Sequence, residues 1–292
     1  MHADLDSLVQ QLYGTVSALL GPRRRRGRPP KLSDPALVCL AVAQVLLGAR
    51  SERHWLRMVS RRLGHLFPYL PQQSGYNKRL RAASNQISLV LRALALATPT
   101  THDPVRLLDA TPLPCGSSRE TVKRSALAEL AGYGYCPAHS RWYWGLKLYL
   151  LCAPDGMPVN WCLASPRLGE REVAAELLAD TPPRLLAGTT VIGDKGFAGA
   201  VFDRQVAELG ACFQRPDRRD EPLRHGDLGG IRQRIESVID TLKGQLSLEQ
   251  HGGRTTTGVW VRVAQRLLAL AAALWFNQQL GRPGRHLTAY DH

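Results

Sequence analysis

Two long apolar stretches, RWYWGLKLYLLCAP (141–154) and MPVNWCLASP (157–166), meet at Asp155-Gly156. An Asp-Gly pair between apolar runs is among the strongest short signals for a tight hairpin, so the middle of the chain is committed to antiparallel sheet. Just upstream, VRLLDATPLP is a further strand-like run. Downstream, GEREVAAELLAD has helical spacing and GTTVIGDKGF is a buried strand ending in a turn. AVFDRQVAELG follows as a helix, ACFQRP as a short strand and IRQRIESVIDTLKGQL as an amphipathic helix. The stripe of this last helix is Ile231, Ile235, Val238, Ile239, Leu242 and Leu246. Three strands, then helix, strand, helix, strand and helix, predict an α/β layered domain that opens with an antiparallel meander. Residues 115–140 are polar and read as a long loop with one helical turn.

The turn-rich TPTTHDP (98–104) separates this region from a helical one. Residues 3–20 space Leu5, Leu8, Val9, Leu12 and Val16 on one face. A helix after the capping Ser33 has Pro35 in its first turn. Another, after Ser51, sets Trp55, Met58, Val59 and Leu63 against Arg53, Arg57, Arg61 and Arg62. A third begins near Tyr76 with Lys78, Arg79 and Arg81. Short helices with basic faces suit a helix-turn-helix-like unit, and equally an ordinary basic bundle. Between the first two lies GPRRRRGRPPK (21–31), which has no apolar residue and reads as an extended basic arm. Its RGRPPK segment resembles the core of an AT-hook, a minor-groove binder. The expected organisation is a basic all-α region over 1–100 with its arm at 21–31, a catalytic α/β domain over 101–250, and a C-terminal helix and tail over 251–292.

Charge sharpens that division. The formal net charge is +14, and residues 1–100 hold fifteen Lys and Arg against four Asp and Glu. Such an excess points to a polyanion, with double-stranded DNA the expected partner. Arg23, Arg24, Arg25, Arg26, Arg28 and Lys31 of the arm are candidate DNA contacts. The apolar run Leu267–Phe276 is too short to span a bilayer and reads as a core helix, so no membrane partner is expected. The acidic N-terminus lacks a secretory pattern, and the six cysteines are scattered, which suits a cytoplasmic, reduced protein. Cys136 and His139 have ligand-like spacing, but no second pair stands near them to complete a zinc site.

Three carboxylates stand out. Asp109 interrupts the apolar strand in LLDAT, where an unpaired charge is costly to bury. Asp194 sits in VIGDKGF, at the end of a buried strand, where α/β sheets place their chemistry. Glu236 lies on the amphipathic helix, where it is either half of an ion pair with Arg232, four residues back, or a ligand held over something buried. Trp142, Tyr143 and Trp144 straddle a strand start, and alternation gives one face to the core while the other is free to meet a base or ribose.

Together these residues resemble the DDE transposases, whose catalytic core is RNase H-like. DATPLP, YGYCPAHSRWYWGLKLYLL, IGDKGF and RQRIESVIDTLKGQLSLEQHGGRT more closely resemble bacterial insertion-sequence transposases of the family numbered nine-eight-two, over roughly residues 27–280. The resemblance implies a catalytic Asp109, Asp194 and Glu236 triad that holds two Mg²⁺ ions, with Mn²⁺ as a substitute and Asp109 bridging both. Lys243 stands seven residues after Glu236, where the family tends to carry a basic residue. Lys195, Arg232, Arg234 and Lys243 are then candidate DNA contacts beside the triad. The family implies binding of transposon terminal inverted repeats and target DNA, and action as a homodimer or higher multimer. ASPRLGERE departs from the pattern by lacking an expected Asp, and Asp240 adds a carboxylate that reads as a helix-surface charge. Two ions about 4 Å apart serve the attacking and leaving oxygens of phosphodiester transfer, and hard Mg²⁺ favours carboxylate oxygens. An RNase H-like nuclease without strand transfer and a non-enzymatic DNA-binding regulator are the alternatives.

Overall fold

The computed structural model describes residues 2–21, 29–136, 140–217, 221–222, 226, 228–282 and 284–290. They form two compact units: residues 95–241 with 254–256, and residues 1–94 with 242–253 and 257–292. The long helix read as a separate C-terminal element thus groups with the N-terminal helices.

The sheet unit is built on a hairpin. Strand β1 is Val105–Gly116, helix α6 is Arg119–Lys123, and strand β2 is Gly132–Cys136. Strands β3 (Arg141–Cys152) and β4 (Pro158–Ala164) are joined through Gly156 at φ 99°, a left-handed value that suits glycine. Helices α7 (Glu170–Ala179) and α8 (Pro183–Leu186), strand β5 (Thr190–Ile192), helix α9 (Ala200–Glu208), strand β6 (Cys212–Gln214) and helix α10 (Gly229–Lys243) complete the alternation. The strands run in the order β2-β3-β1-β5-β6, with β4 also pairing β3. β1, β3 and β4 are antiparallel, whereas β5 and β6 are parallel to β1. The α/β meander-then-crossover order expected from the sequence is present, and residues 115–140 depart from it. The helical turn expected there is α6, but the remainder is not all loop: it holds β2, which pairs with the first half of β3.

Why β2 forms is clear from its partner. Gly134 lies opposite Tyr143, and a Cβ there would stand 2.6 Å from the Tyr143 ring. The glycine leaves room for the ring to lie across the strand. Gly145 is as constrained, because its Cβ would fall 2.2 Å from the Leu113 carbonyl oxygen. At the other end of β1 the fully buried Arg106 donates from Nε to the Leu185 carbonyl at 2.8 Å and from Nη1 to the Asp103 carbonyl at 2.7 Å. That anchors the strand carrying Asp109.

The helical unit contains α1 (His2–Leu20), α2 (Asp34–Leu46), α3 (Glu52–Arg62), α4 (Gln73–Ala82), α5 (Ser84–Leu96) and α11 (Thr256–Gln279), the last two reaching its boundary. Ser33 caps α2 by accepting from Ala36 N at 3.2 Å, and Ser51 caps α3 by accepting from His54 N at 3.3 Å. α2 is buried from Ala36 to Leu46. α11 is long and apolar enough to cross a membrane, but its apolar window is 94% buried, as in a core helix. Gln265 of α11 donates to the Ala41 carbonyl at 2.8 Å and to Gln44 Oε1 at 3.2 Å. Tyr76 donates to the same Gln44 oxygen at 2.8 Å, so this buried polar group is satisfied from two helices. Arg53, Arg57 and Arg61 line the exposed face of α3. Arg79, by contrast, is held by Asp34 at 2.9 Å and by the Leu32 carbonyl at 2.5 Å.

Candidate active site

The sheet register brings the two aspartates together. β1 and β5 pair in parallel with Leu107 beside Ile192. Two residues past that last pair stand Asp109, within β1, and Asp194, in the segment that follows β5. β5 stops at Ile192, and Asp194 caps the helical turn Lys195–Phe197, its Oδ1 accepting from Lys195 N at 2.6 Å. Glycines stand before and within this turn. A Cβ on Gly193 would lie 2.9 Å from the Phe213 ring, and one on Gly196 would lie 2.9 Å from Glu170 Oε2.

Glu236 arrives on α10; of the expected stripe Ile235, Val238, Ile239 and Leu242 are buried, as is Leu246 beyond the helix, whereas Ile231 in its first turn is only half-buried. Arg232, one turn earlier, joins the two regions: its Nη2 lies 3.4 Å from Asp194 Oδ1 and 3.5 Å from Glu236 Oε1. Its side chain is 20% exposed, while those of Asp194 and Glu236 are 50% and 53% exposed. The guanidinium is thus the more enclosed partner, with a carboxylate on either side.

Asp109 belongs to the same electrostatic group. Burial pushes its carboxyl up to about 6, against the bond from the Ala110 amide at 2.7 Å. The negative charge of Asp194 raises it further, Arg232 lowers it, and the charge of Glu236 raises it. Three carboxylates from three elements therefore share one region around one guanidinium. Among the described residues, no three Asp, Glu, His or Cys side chains converge closely enough to hold a metal ion as they stand. On the Asp194 and Glu236 side the Arg232 guanidinium stands close to both carboxylates. The donor set itself, all carboxylate oxygen and partly solvated, fits a hard divalent cation.

The other expected site residues are more scattered. Lys195 is exposed next to Asp194, and Arg234 is exposed on α10. Lys243 pairs with Glu249 at 3.7 Å. Lys31 lies over the Tyr69 ring, 5.3 Å from its centroid. Arg23, Arg24, Arg25, Arg26 and Arg28, and His139 of the zinc-like pair, fall outside the described residues. Asp240 is exposed, as expected of a surface charge. Sequence reasoning missed the contact between Lys147 Nζ and Glu170 Oε1. Lys147 lies opposite Pro112 on β1, one position out of phase with Asp109, so it points to the other sheet face. There it holds Glu170, whose other oxygen stands against Gly196 in the turn after Asp194. The signal was a lone charge inside GLKLYLL, the same signal that singled out Asp109.

A mixed sheet of this order, with carboxylates on β1, just after β5 and on α10, has the layout of a DDE-type nucleic-acid-processing enzyme. The family model for the transposase DDE domain matches residues 100–272, more than half of the chain, and the chain belongs to that family. It is therefore a transposase, an enzyme of DNA cleavage and strand transfer whose family depends on divalent metal and has an RNase H-like core. Among solved structures, a piggyBac transposase synaptic complex with hairpin DNA is similar at a TM-score of 0.43 and 10% identity, covering 98% of this chain and 76% of that one. No curated protein matches the chain.

Proposed function

We propose that this chain is the transposase of a bacterial insertion sequence, which binds the terminal inverted repeats of its element and joins them to target DNA at Asp109, Asp194 and Glu236. The observation that carries the assignment is the placement of one guanidinium nitrogen at 3.4 and 3.5 Å from Asp194 and Glu236, with Asp109 on the strand paired to β5 and within electrostatic reach of both carboxylates. Such a concentration of negative charge on a partly buried surface is unfavourable without a cation, and its donors suit Mg²⁺ or Mn²⁺. Held by these carboxylates, such ions would supply activation of the attacking oxygen and stabilisation of the leaving one. Asp109 is fixed by the sheet, Asp194 by the turn and Glu236 by its helix, so the three carboxylates that would hold such ions come from separate elements. Lys195 and Arg234, exposed on either side, hold the DNA backbone. The basic helices and the arm at 21–31 supply end binding, the active form has at least two copies, and the protein works on DNA in the bacterial cytoplasm.

The test is to replace Asp109, Asp194 and Glu236 singly by Ala and follow joining of pre-cleaved element ends in Mg²⁺ together with end binding. Joining should be lost in each while binding stays. Full joining by any one variant removes that residue from the site. Cleavage by the parent chain with no joined product would favour a nuclease without strand transfer.

A further inference from the structure

The β2–β3 hairpin carries a second feature that the acidic site does not use. Tyr133, Tyr135 and Trp142 are 55%, 47% and 71% exposed, a concentration of large aromatic surface that a folded chain ordinarily covers. Register explains how they gather. Tyr135 lies directly opposite Trp142, and Tyr133 opposite Trp144, so all four share one face of the hairpin. The Tyr135 and Trp142 rings stand 5.4 Å apart, tilted at 55°. Trp144 is buried at the base, and the neighbouring Tyr143 turns to the opposite face. Beside the aromatics opens a cleft of about 400 Å³ lined by Tyr133, Trp142, Arg119 and Arg141, with Ser117 and Ser118 at its edge. Glu120, the nearest acid in sequence, is turned to Lys123 at 3.6 Å and Arg124 at 4.0 Å.

We infer that this cleft binds an unpaired nucleotide of the DNA substrate, its base stacked on Trp142 and Tyr133 and its phosphate held by Arg119. The inference rests on the proposed DNA-joining function for its source of ligand, though not on the acidic site. Aromatic rings beside guanidinium groups match a nucleotide in both parts: a flat π-face and an adjacent anion. A paired base inside a duplex offers its edges and keeps its faces stacked, so the flat rings select a base that has left the helix. The cleft also stands in a definite relation to the acidic site. Asp109 pairs with Leu150, and Leu150 and Trp142 are an even number of residues apart on β3, on the same sheet face. The separation along the strand is about 26 Å at the usual rise, within reach of one bound DNA.

The decisive measurement is the affinity of the full chain for a labelled oligothymidylate and for a blunt duplex at one salt concentration. Trp142→Ala should weaken oligothymidylate binding by roughly ten-fold or more. Duplex binding should be unchanged, and Trp142→Phe should restore most of the loss. Arg119→Ala should weaken the oligothymidylate also, independently of the aromatic change. Oligothymidylate affinity that survives both Trp142→Ala and Arg119→Ala overturns the proposal, as does an equal loss on both probes. A Trp142→Ala change in sedimentation without an effect on oligothymidylate makes the patch a contact between copies and likewise overturns it. If the parent chain binds oligothymidylate at this cleft but no duplex, the cleft stands and the proposed end binding fails.

Discussion

Asp109→Asn should make the metal-free protein more stable at neutral pH while abolishing joining. Burial leads the causes that move the Asp109 carboxyl from the ordinary 3.8 up to about 6. A carboxyl whose folded pKa exceeds its unfolded one binds protons better in the folded state, so ionisation works against folding. At about 1.4 kcal/mol per unit, a shift of roughly two units costs at most about 3 kcal/mol once the group is fully ionised. Asp109 is only partly buried, and solvent reduces the figure to about 1–2 kcal/mol. The cost is absent below the unfolded pKa, where the carboxyl is protonated in both states. It grows between about pH 4 and pH 6 and is complete above. Asparagine keeps the size of the side chain and an oxygen for the Ala110 amide, so it removes the charge and little else. For a unit of this size, about 1–2 kcal/mol corresponds to a Tm gain of roughly 2–8 °C. Thermal unfolding followed by circular dichroism, in chelator and at neutral and acid pH, measures it. A variant no more stable than the parent at pH 7, or a gain that persists unchanged at pH 4, refutes the reasoning.

Two further expectations concern neighbouring residues. Arg232→Gln removes two ion pairs that stand between Asp194 and Glu236; at about 0.2–1 kcal/mol for each such exposed pair, Mn²⁺ affinity without DNA should rise by roughly 2–30-fold. Calorimetric titration reads this directly, and unchanged or weaker binding shows that Arg232 does not compete with the cation. Gly145→Ala places a methyl 2.2 Å from the Leu113 carbonyl in the middle of the sheet and should destabilise by about 1–3 kcal/mol, read as a lower urea midpoint; a midpoint equal to the parent's shows that β1 and β3 can separate there without cost.

How far the sequence foretold this arrangement depends on where each interaction partner lies in the chain. The hairpin at Asp155-Gly156 and the alternation after it were legible, because turn chemistry and periodicity are local. β2 was not, since GYGYC puts glycine at two of its three inward positions and only Cys136 is apolar there. At Gly134 the surface filling the position belongs to Tyr143, a residue of the neighbouring strand. Arg79 looked like part of a basic helix face, but its partner Asp34 is forty-five residues away in sequence and cannot be inferred from periodicity. Lys243 was placed by helix geometry beside Glu236, whereas Glu249, beyond the helix end, takes its charge. For Asp109 and Asp194, strand position was readable and mutual position was not. Their neighbourhood follows from the pairing of Leu107 with Ile192, a long-range register that no local pattern specifies.

Glu236 presented two readings, an ion pair with Arg232 or a cation ligand, and the geometry shows why they are compatible. Were Arg232 only an i,i+4 partner, it would offset one surface carboxylate and add a few tenths of a kcal/mol to the helix. Instead the same nitrogen also faces Asp194, which belongs to another element and shares the electrostatic environment of Asp109. The arginine is better described as the counter-charge of the whole acidic group than of Glu236. In the proposed reaction that charge would be redundant once divalent cations are bound, and a guanidinium released toward solvent is well suited to a DNA phosphate. One residue would then serve two states, neutralising the carboxylates in the free protein and, in the proposed complex, the substrate backbone. On this argument the ion pair does not compete with the catalytic reading of Glu236; it is how the fold tolerates that residue before the metal and the DNA arrive.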